Sequence, residues 1–217
     1  MLLLGDSISM GYTPYVQEAL AGRAHVARPM LDTDPPRAEN CAGTTKGVRE
    51  LDRWLAQDGG AWDVIHVNFG LHDLKRVDPA TGGNSNDASD PHQADPERYE
   101  AQLREIVTRL QDTGARVVLA TTTPVPDGEL RPYRAPQDAI VYNRVAVRVA
   151  ERAGVPVNDL HAFVLAQPPP FRRANNVHFD AVGSRALGEQ VAAAILEAAG
   201  RPPAPTADEL APATAPN

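Results

Sequence analysis

Acyl-transfer chemistry without a metal needs a nucleophile, a base within hydrogen-bond reach of it, and donors aimed at the charge that develops. Four short segments of the 217-residue chain hold residue types of that kind. They are Gly5-Asp6-Ser7-Ile8-Ser9, Asn40-Cys41-Ala42-Gly43-Thr44-Thr45, Gly70-Leu71-His72-Asp73 and Asn175-Asn176-Val177-His178-Phe179. A serine hydroxyl is a poor nucleophile at neutral pH, so these segments matter only if the fold brings them together.

The elements around them alternate strand and helix. Residues 2–4 form an apolar strand running into Gly5, and Thr13-Pro14 reads as a helix start, with Thr as N-cap and Pro in the first turn. Residues 25–27 read as a weak second strand, and Val48, Leu51 and Leu55 recur at helical spacing. Residues 63–69 and 116–122 are apolar enough for strands covered on both faces. Between them Tyr99, Leu103, Ile106, Val107 and Leu110 mark the clearest amphipathic helix, ended by Gly114. A helix through Val141, Val145 and Val149, a strand at 155–157 and a helix through Leu187, Val191 and Ile195 complete the chain. Five strands alternating with helices predict an α/β fold with a parallel sheet and right-handed crossovers, and sites in such sheets form at the carboxyl ends of the strands. The first three chemistry-bearing segments follow strands, and the fourth lies just before the last helix.

Their order and position resemble the blocks of the SGNH (GDSL-type) hydrolase family. A bare Gly-Asp-Ser is weak, but here it follows an apolar strand at the N-terminus and is joined by Val177-His178-Phe179 near the other end. The resemblance spans residues 2–199. It implies a flavodoxin-like three-layer α/β/α sandwich, here with a five-stranded parallel sheet. It also implies Ser7 as nucleophile and His178 as base, with an oxyanion hole made of the Ser7 N–H, a glycine N–H from the second block and an asparagine side chain from the third.

The sequence departs from that pattern in three places. The third block has His72 where the family has asparagine, which makes the segment similar to a bacterial subgroup with a Gly-Leu-His-Asp block. A neutral imidazole donates one N–H and can replace an amide, and a protonated one would titrate near neutrality. The last block has Asn175 where the family has an aspartate, so Asn175 is expected to orient His178, with Asp180, Asp159 or a backbone carbonyl as alternatives. In the second block either Gly43 or Ala42 stands at the oxyanion position. Asn40 is a further candidate donor, or else a turn residue bonded to its own backbone.

Asp6 and Asp73 read as loop anchors, Asn68 as a buried polar residue needing partners, His66 as a core histidine and Trp54 and Trp62 as core residues. Thr121-Thr122-Thr123 marks a strand end that could line the cleft. His25, His92 and His161 share no ligand spacing, so neither a metal nor another cofactor is expected. A net charge of −7 leaves no basic excess for nucleic acid, and no apolar run is long enough to cross a membrane. One cysteine excludes an intrachain disulfide framework. Residues 1–200 are expected to form one domain, and residues 201–217, with five Pro and five Ala, a disordered tail. The polar loop at 77–97 has a length that is uncommon without a function, or is a solvated surface excursion.

The activity this implies is a serine esterase for short-chain acyl esters, including O-acetyl groups on saccharides. The partner is a small-molecule or saccharide ester. A glycan-binding module with a degenerate site and an acyltransferase to a sugar hydroxyl are the alternatives. The absence of a basic, apolar leader predicts a cytoplasmic protein as given, or a secreted one if a leader has been removed.

Overall fold

The computed structural model describes residues 1–167 and 175–200. The expected tail at 201–217 lies outside the described residues. The main sheet has four parallel strands in the order β1 (Leu2–Gly5), β4 (Val64–Asn68), β5 (Arg116–Ala120) and β6 (Val157–Asn158). All residues of β1 and β4 are buried, the apolar ones as a strand covered on both faces requires, with His66 and Asn68 buried among them. The register aligns Gly5, Asn68, Ala120 and Asn158 along the carboxyl edge.

The predicted second strand at 25–27 shrinks to a single parallel bridge from Ala27 to Leu2, so the sheet has four strands rather than the five expected. The Ala27 N–H donates to Met1 O at 3.0 Å, and the Leu3 N–H donates to Ala27 O at 2.9 Å. The next rung would need an N–H from position 29, which is Pro29, so the ladder stops there. The chain then makes a two-stranded antiparallel ribbon of β2 (Met30–Leu31) and β3 (Arg37–Ala38).

Helices cover the sheet. α1 (Ser7–Ala19) packs on α6 (Ala181–Ala199), while α2 (Thr44–Leu55), α3 (Pro96–Gln111) and α4 (Pro136–Ala153) pack in series. α5 (Leu160–Leu165) is short and leans on α6. Gly188 permits the close α1–α6 approach: a Cβ there would lie 2.6 Å from Tyr15 Cβ. In α3 the predicted stripe is the buried one, and Asp95 caps it by accepting the Arg98 N–H at 2.8 Å. In α4 the buried stripe runs through Tyr142, Val145 and Val149, whereas Val141 is 42% exposed.

One helix start differs from its sequence reading in a way that matters for the site. α1 begins at Ser7, not at Thr13-Pro14. Asp6 supplies the N-cap, accepting the Ile8 N–H at 2.9 Å, and Pro14 sits inside the helix. The Thr13 hydroxyl points back instead, donating to Ser9 O at 2.6 Å.

Candidate active site

Because Asp6 is the cap, Ser7 is the first residue of α1, and its N–H belongs to the positive, unsatisfied first turn. Asp6 takes the N–H of Ile8 rather than that of Ser7. The turn is held from below. Ser9 Oγ donates to Asp6 O at 2.7 Å, and Arg28 donates to Thr13 Oγ1 at 2.9 Å and to Glu39 O at 2.8 Å. The Cys41 N–H donates to Gly5 O at 3.1 Å, which ties the second block to the end of β1.

Ser7 Oγ lies 2.8 Å from His178 Nε2, across 171 residues of sequence. The partner on the other ring nitrogen is Asn176, not the expected Asn175: Asn176 Oδ1 lies 2.8 Å from Nδ1. The same oxygen accepts the His178 backbone N–H at 3.0 Å. A backbone N–H can only donate, so this Asn176 atom must be the acceptor oxygen. Nδ1 facing it must then carry the ring proton, which leaves Nε2 as the acceptor for the Ser7 hydroxyl. The Asn176 amide thus faces Nδ1 and sets the tautomer of His178.

Asn175 is turned away. It adopts a left-handed backbone (φ 51), and its side-chain oxygen packs against Gly128, which has no Cβ to block it. The left-handed residue redirects the chain so that the next asparagine faces the ring. The other acids considered for this role are committed elsewhere. Asp180 caps α6 through the Gly183 N–H at 2.8 Å. Asp159 caps α5 through the Ala162 N–H at 3.0 Å and accepts from Thr121 Oγ1 at 2.8 Å.

Ala42 carries a positive φ of 56, a conformation costing a non-glycine residue about 1–2 kcal/mol. Its N–H donates to Asn40 Oδ1 at 2.8 Å, so Asn40 makes the local turn while lining the cavity in front of Ser7. Gly43 has an ordinary φ of −105 and is required for space: a Cβ would lie 2.7 Å from Asp73 Oδ1. That oxygen accepts from the Thr44 N–H at 2.8 Å and the Thr44 hydroxyl at 2.6 Å, so the third block caps the helix that follows the second. Among the described residues lining the cavity, neither Ala42 nor Gly43 appears.

His72 lines the cavity, with no side-chain hydrogen bond among the described residues. Burial first, then the nearby charges of Lys75 and Arg134, push its imidazole down to about 3. It is therefore neutral at physiological pH, the first of the two forms considered, and offers one N–H. Burial also pushes Asp6 and Asp73 up to about 6. Outside the cavity, Asn68 Nδ2 donates to Thr121 O at 2.8 Å. His66 is fully buried beside Asn158, and desolvation lowers it to about 4. Thr121 faces Asp159 rather than the Ser7 cavity.

The cavity holds about 600 Å³. Ser7, Asn40, His72, Asn176 and His178 line it. Residues 129–132 and Arg134, with Lys75 and Asn84, line it as well. The 77–97 loop thus reaches the site through Asn84, held by a bridge from Val77 to Asn84. Sequence reasoning missed Asn176, one position from the residue expected, because only the turn at Asn175 decides which amide faces the ring. It also missed Lys75 and Arg134, whose place in this cavity has no local sequence signal.

Residues 3–186 match the model of the GDSL-like Lipase/Acylhydrolase family. Solved structures share the fold at low identity. An acetyl xylan esterase, AlAXEase, is 16% identical over 89% of this chain and 98% of its own, with a TM-score of 0.67. A lipase/acylhydrolase from Enterococcus faecalis is 21% identical over 93% of this chain and 96% of its own, with a TM-score of 0.67. An alpha/beta hydrolase enzyme from the metagenome of Lake Arreo, Spain, is 18% identical over 92% of this chain and 94% of its own, with a TM-score of 0.66. No curated protein sequence matches the chain.

Proposed function

Because the chain belongs to the GDSL-like lipase/acylhydrolase family, we propose that it hydrolyses short-chain acyl esters, O-acetyl groups of saccharides among them, through an acyl-enzyme on Ser7. The observation that carries this reading is the 2.8 Å contact from Ser7 Oγ to a His178 Nε2 left unprotonated by Asn176. Ser7 Oγ attacks the ester carbonyl carbon while its proton passes to Nε2. The imidazolium then protonates the departing alkoxide as the ester C–O bond breaks. In the second half, His178 takes a proton from water, whose oxygen attacks the acyl carbon; the bond from that carbon to Ser7 Oγ then breaks, the proton returns to Oγ and the carboxylic acid leaves.

The tetrahedral oxyanion is held by the Ser7 N–H, by the His72 ring N–H and by the Asn40 amide. Asn40 takes the place that Ala42 or Gly43 would fill: the Ala42 N–H is spent on Asn40 Oδ1, which leaves the Asn40 Nδ2 protons to donate. Each such donor is worth about 3–4 kcal/mol in the transition state. His72 in the third block is in this reading a trait of the Gly-Leu-His-Asp subgroup. Its neutrality suits a donor that must stay the same across the working pH range.

A fluorophosphonate probe, read by intact mass, tests the proposal. Labelling of the wild-type protein, lost in Ser7→Ala and slowed in Asn176→Ala, is the expected result. A folded wild-type protein that takes no label removes the activated serine and with it the esterase.

A further inference from the structure

The cavity that Ser7 lines carries more positive charge than ester hydrolysis requires. The chain as a whole is acidic, with 28 Asp and Glu against 21 Lys and Arg. The cavity reverses that balance: Lys75, Arg131 and Arg134 line it, against one acid, the exposed Glu129.

Arg134 is 8% exposed. Its Nε donates to Leu71 O at 2.8 Å, and Nη1 reaches Pro132 O at 3.4 Å. Lys75 is half-buried and donates to the Asn84 side-chain oxygen at 2.7 Å. These acceptors are all neutral. Among the described residues, none of the three cations has a carboxylate within ion-pair distance, whereas Lys46 nearby is paired with Glu39 at 2.7 Å. Arg134 and Lys75 also sense each other. Burial lowers the Lys75 ammonium, and the guanidinium of Arg134 lowers it further. Asp6 partly offsets the charge on Arg134, and Asp73 that on Lys75, but both carboxylates bond within their own loops, to the Ile8 N–H and to Thr44.

Burying cations against neutral acceptors costs free energy that an anionic partner recovers. Low-dielectric walls of one sign also focus the field on a matching ligand. Arg134 is held against the carbonyl of Leu71, the residue before His72, so the charge sits beside the proposed oxyanion donor.

We propose that this enzyme selects esters bearing a second, negatively charged group, a carboxylate or a phosphate, which the Lys75–Arg131–Arg134 wall receives while the ester carbonyl meets Ser7. The inference rests on the esterase reading and names its substrate class: acyl esters of acidic sugars or of other anionic alcohols, or esters of a dicarboxylic acid.

Paired substrates test it. Para-acetoxybenzoate is compared with its methyl ester, which places the charge on the alcohol side. The mono-para-nitrophenyl ester of adipate is compared with para-nitrophenyl hexanoate, which places it on the acyl side. At least one charged ester is expected to have a kcat/KM about tenfold above its neutral partner at low salt. That preference should shrink as added salt shortens the screening length from about 10 Å to about 3 Å. It should also collapse in the Lys75→Gln/Arg131→Gln double variant. These two positions are chosen because Arg134→Gln removes the clamp on the Leu71 carbonyl and can fail to fold. Arg134→Lys, which keeps the charge, should retain more of the preference than the double variant.

Equal rates for charged and neutral partners overturn the inference while leaving the esterase intact. An equal fall for both in the double variant also overturns it, since the cations would then serve the oxyanion alone. No turnover of any ester removes the esterase reading instead. In that case the thermal shift of Ser7→Ala with para-acetoxybenzoate against its methyl ester decides the charge question. Stabilisation by the anion alone, lost when Lys75→Gln/Arg131→Gln is added, supports the wall; no difference overturns it.

Discussion

The two halves of the proposed catalytic pair, Ser7 and His178, are held in unlike ways. Ser7 stands where a buried strand becomes a helix, and its position is fixed several times over by the Asp6 cap, the Ser9 hydroxyl and the Arg28 web. His178 stands in a loop between Asn175 and the α6 cap, and its ring is oriented at Nδ1 by one amide oxygen. Ser7 is placed by backbone geometry that many residues enforce. The contact on His178 Nδ1 comes from a side chain that a single substitution removes. Loss of function by mispositioning should therefore concentrate on the histidine side.

The largest expected effect is chemical: Ser7→Ala and His178→Ala should each lower kcat by about 10⁴-fold or more, with thermal stability little changed. Equal stability with near-normal turnover in either variant would refute the pair. The sharper test sets the two neighbouring asparagines against each other. Asn176→Ala should lower kcat by about 10²-fold, the usual consequence of a misplaced catalytic group, while Asn175→Gly, which keeps the left-handed turn, should stay within about threefold. Asn176→Asp restores a carboxylate to Nδ1 and should hold or raise kcat. If Asn175 proves the costlier position, the geometry of the loop in solution differs from that described.

His72→Gln should cost about 10²-fold in kcat, because the amide donates from a different point. The same variant has a pH signature. The folded-state value of His72, about 3, lies below its usual 6.5. The unfolded chain therefore binds the extra proton first as pH falls, and stability is lost between about 6.5 and 3. His72→Gln should lose less stability over that window than wild type, as read by denaturant midpoints. Asp6 and Asp73 have the opposite sign: their values of about 6 lie above the ordinary 3.8, so their contribution is full below 3.8 and is lost as pH rises through 6. The smallest effect is at Ala42. Ala42→Gly relieves a left-handed alanine and should raise stability by about 1 kcal/mol, measured by thermal or chemical unfolding.

Much of the fold was legible because its signals are local. The apolar runs of β1, β4 and β5 and the stripe of α3 are read directly from residue order, and the residues buried there are those expected. The second strand was misjudged because its end depends on Pro29 meeting a hydrogen-bond slot on β1, a long-range condition. The start of α1 was misread because Thr13-Pro14 is a plausible cap in isolation, while Asp6 is a better one next to a strand end.

For the site the division is similar. Ser7, His72 and His178 stand out as candidates by their types and order, since a nucleophile and its base need particular functional groups. Which amide faces His178, whether Asn40 or Ala42 meets the cavity, and where Lys75 and Arg134 lie were decided by tertiary structure alone. A left-handed turn at Asn175, a Cβ missing at Gly128 and a guanidinium clamped to the Leu71 carbonyl are facts of three-dimensional packing. The sequence by itself determined which chemistry the chain can carry, because that is a property of side chains. The direction, charge environment and protonation state of those side chains come from neighbours distant in sequence, and only the folded structure brings them close enough to act.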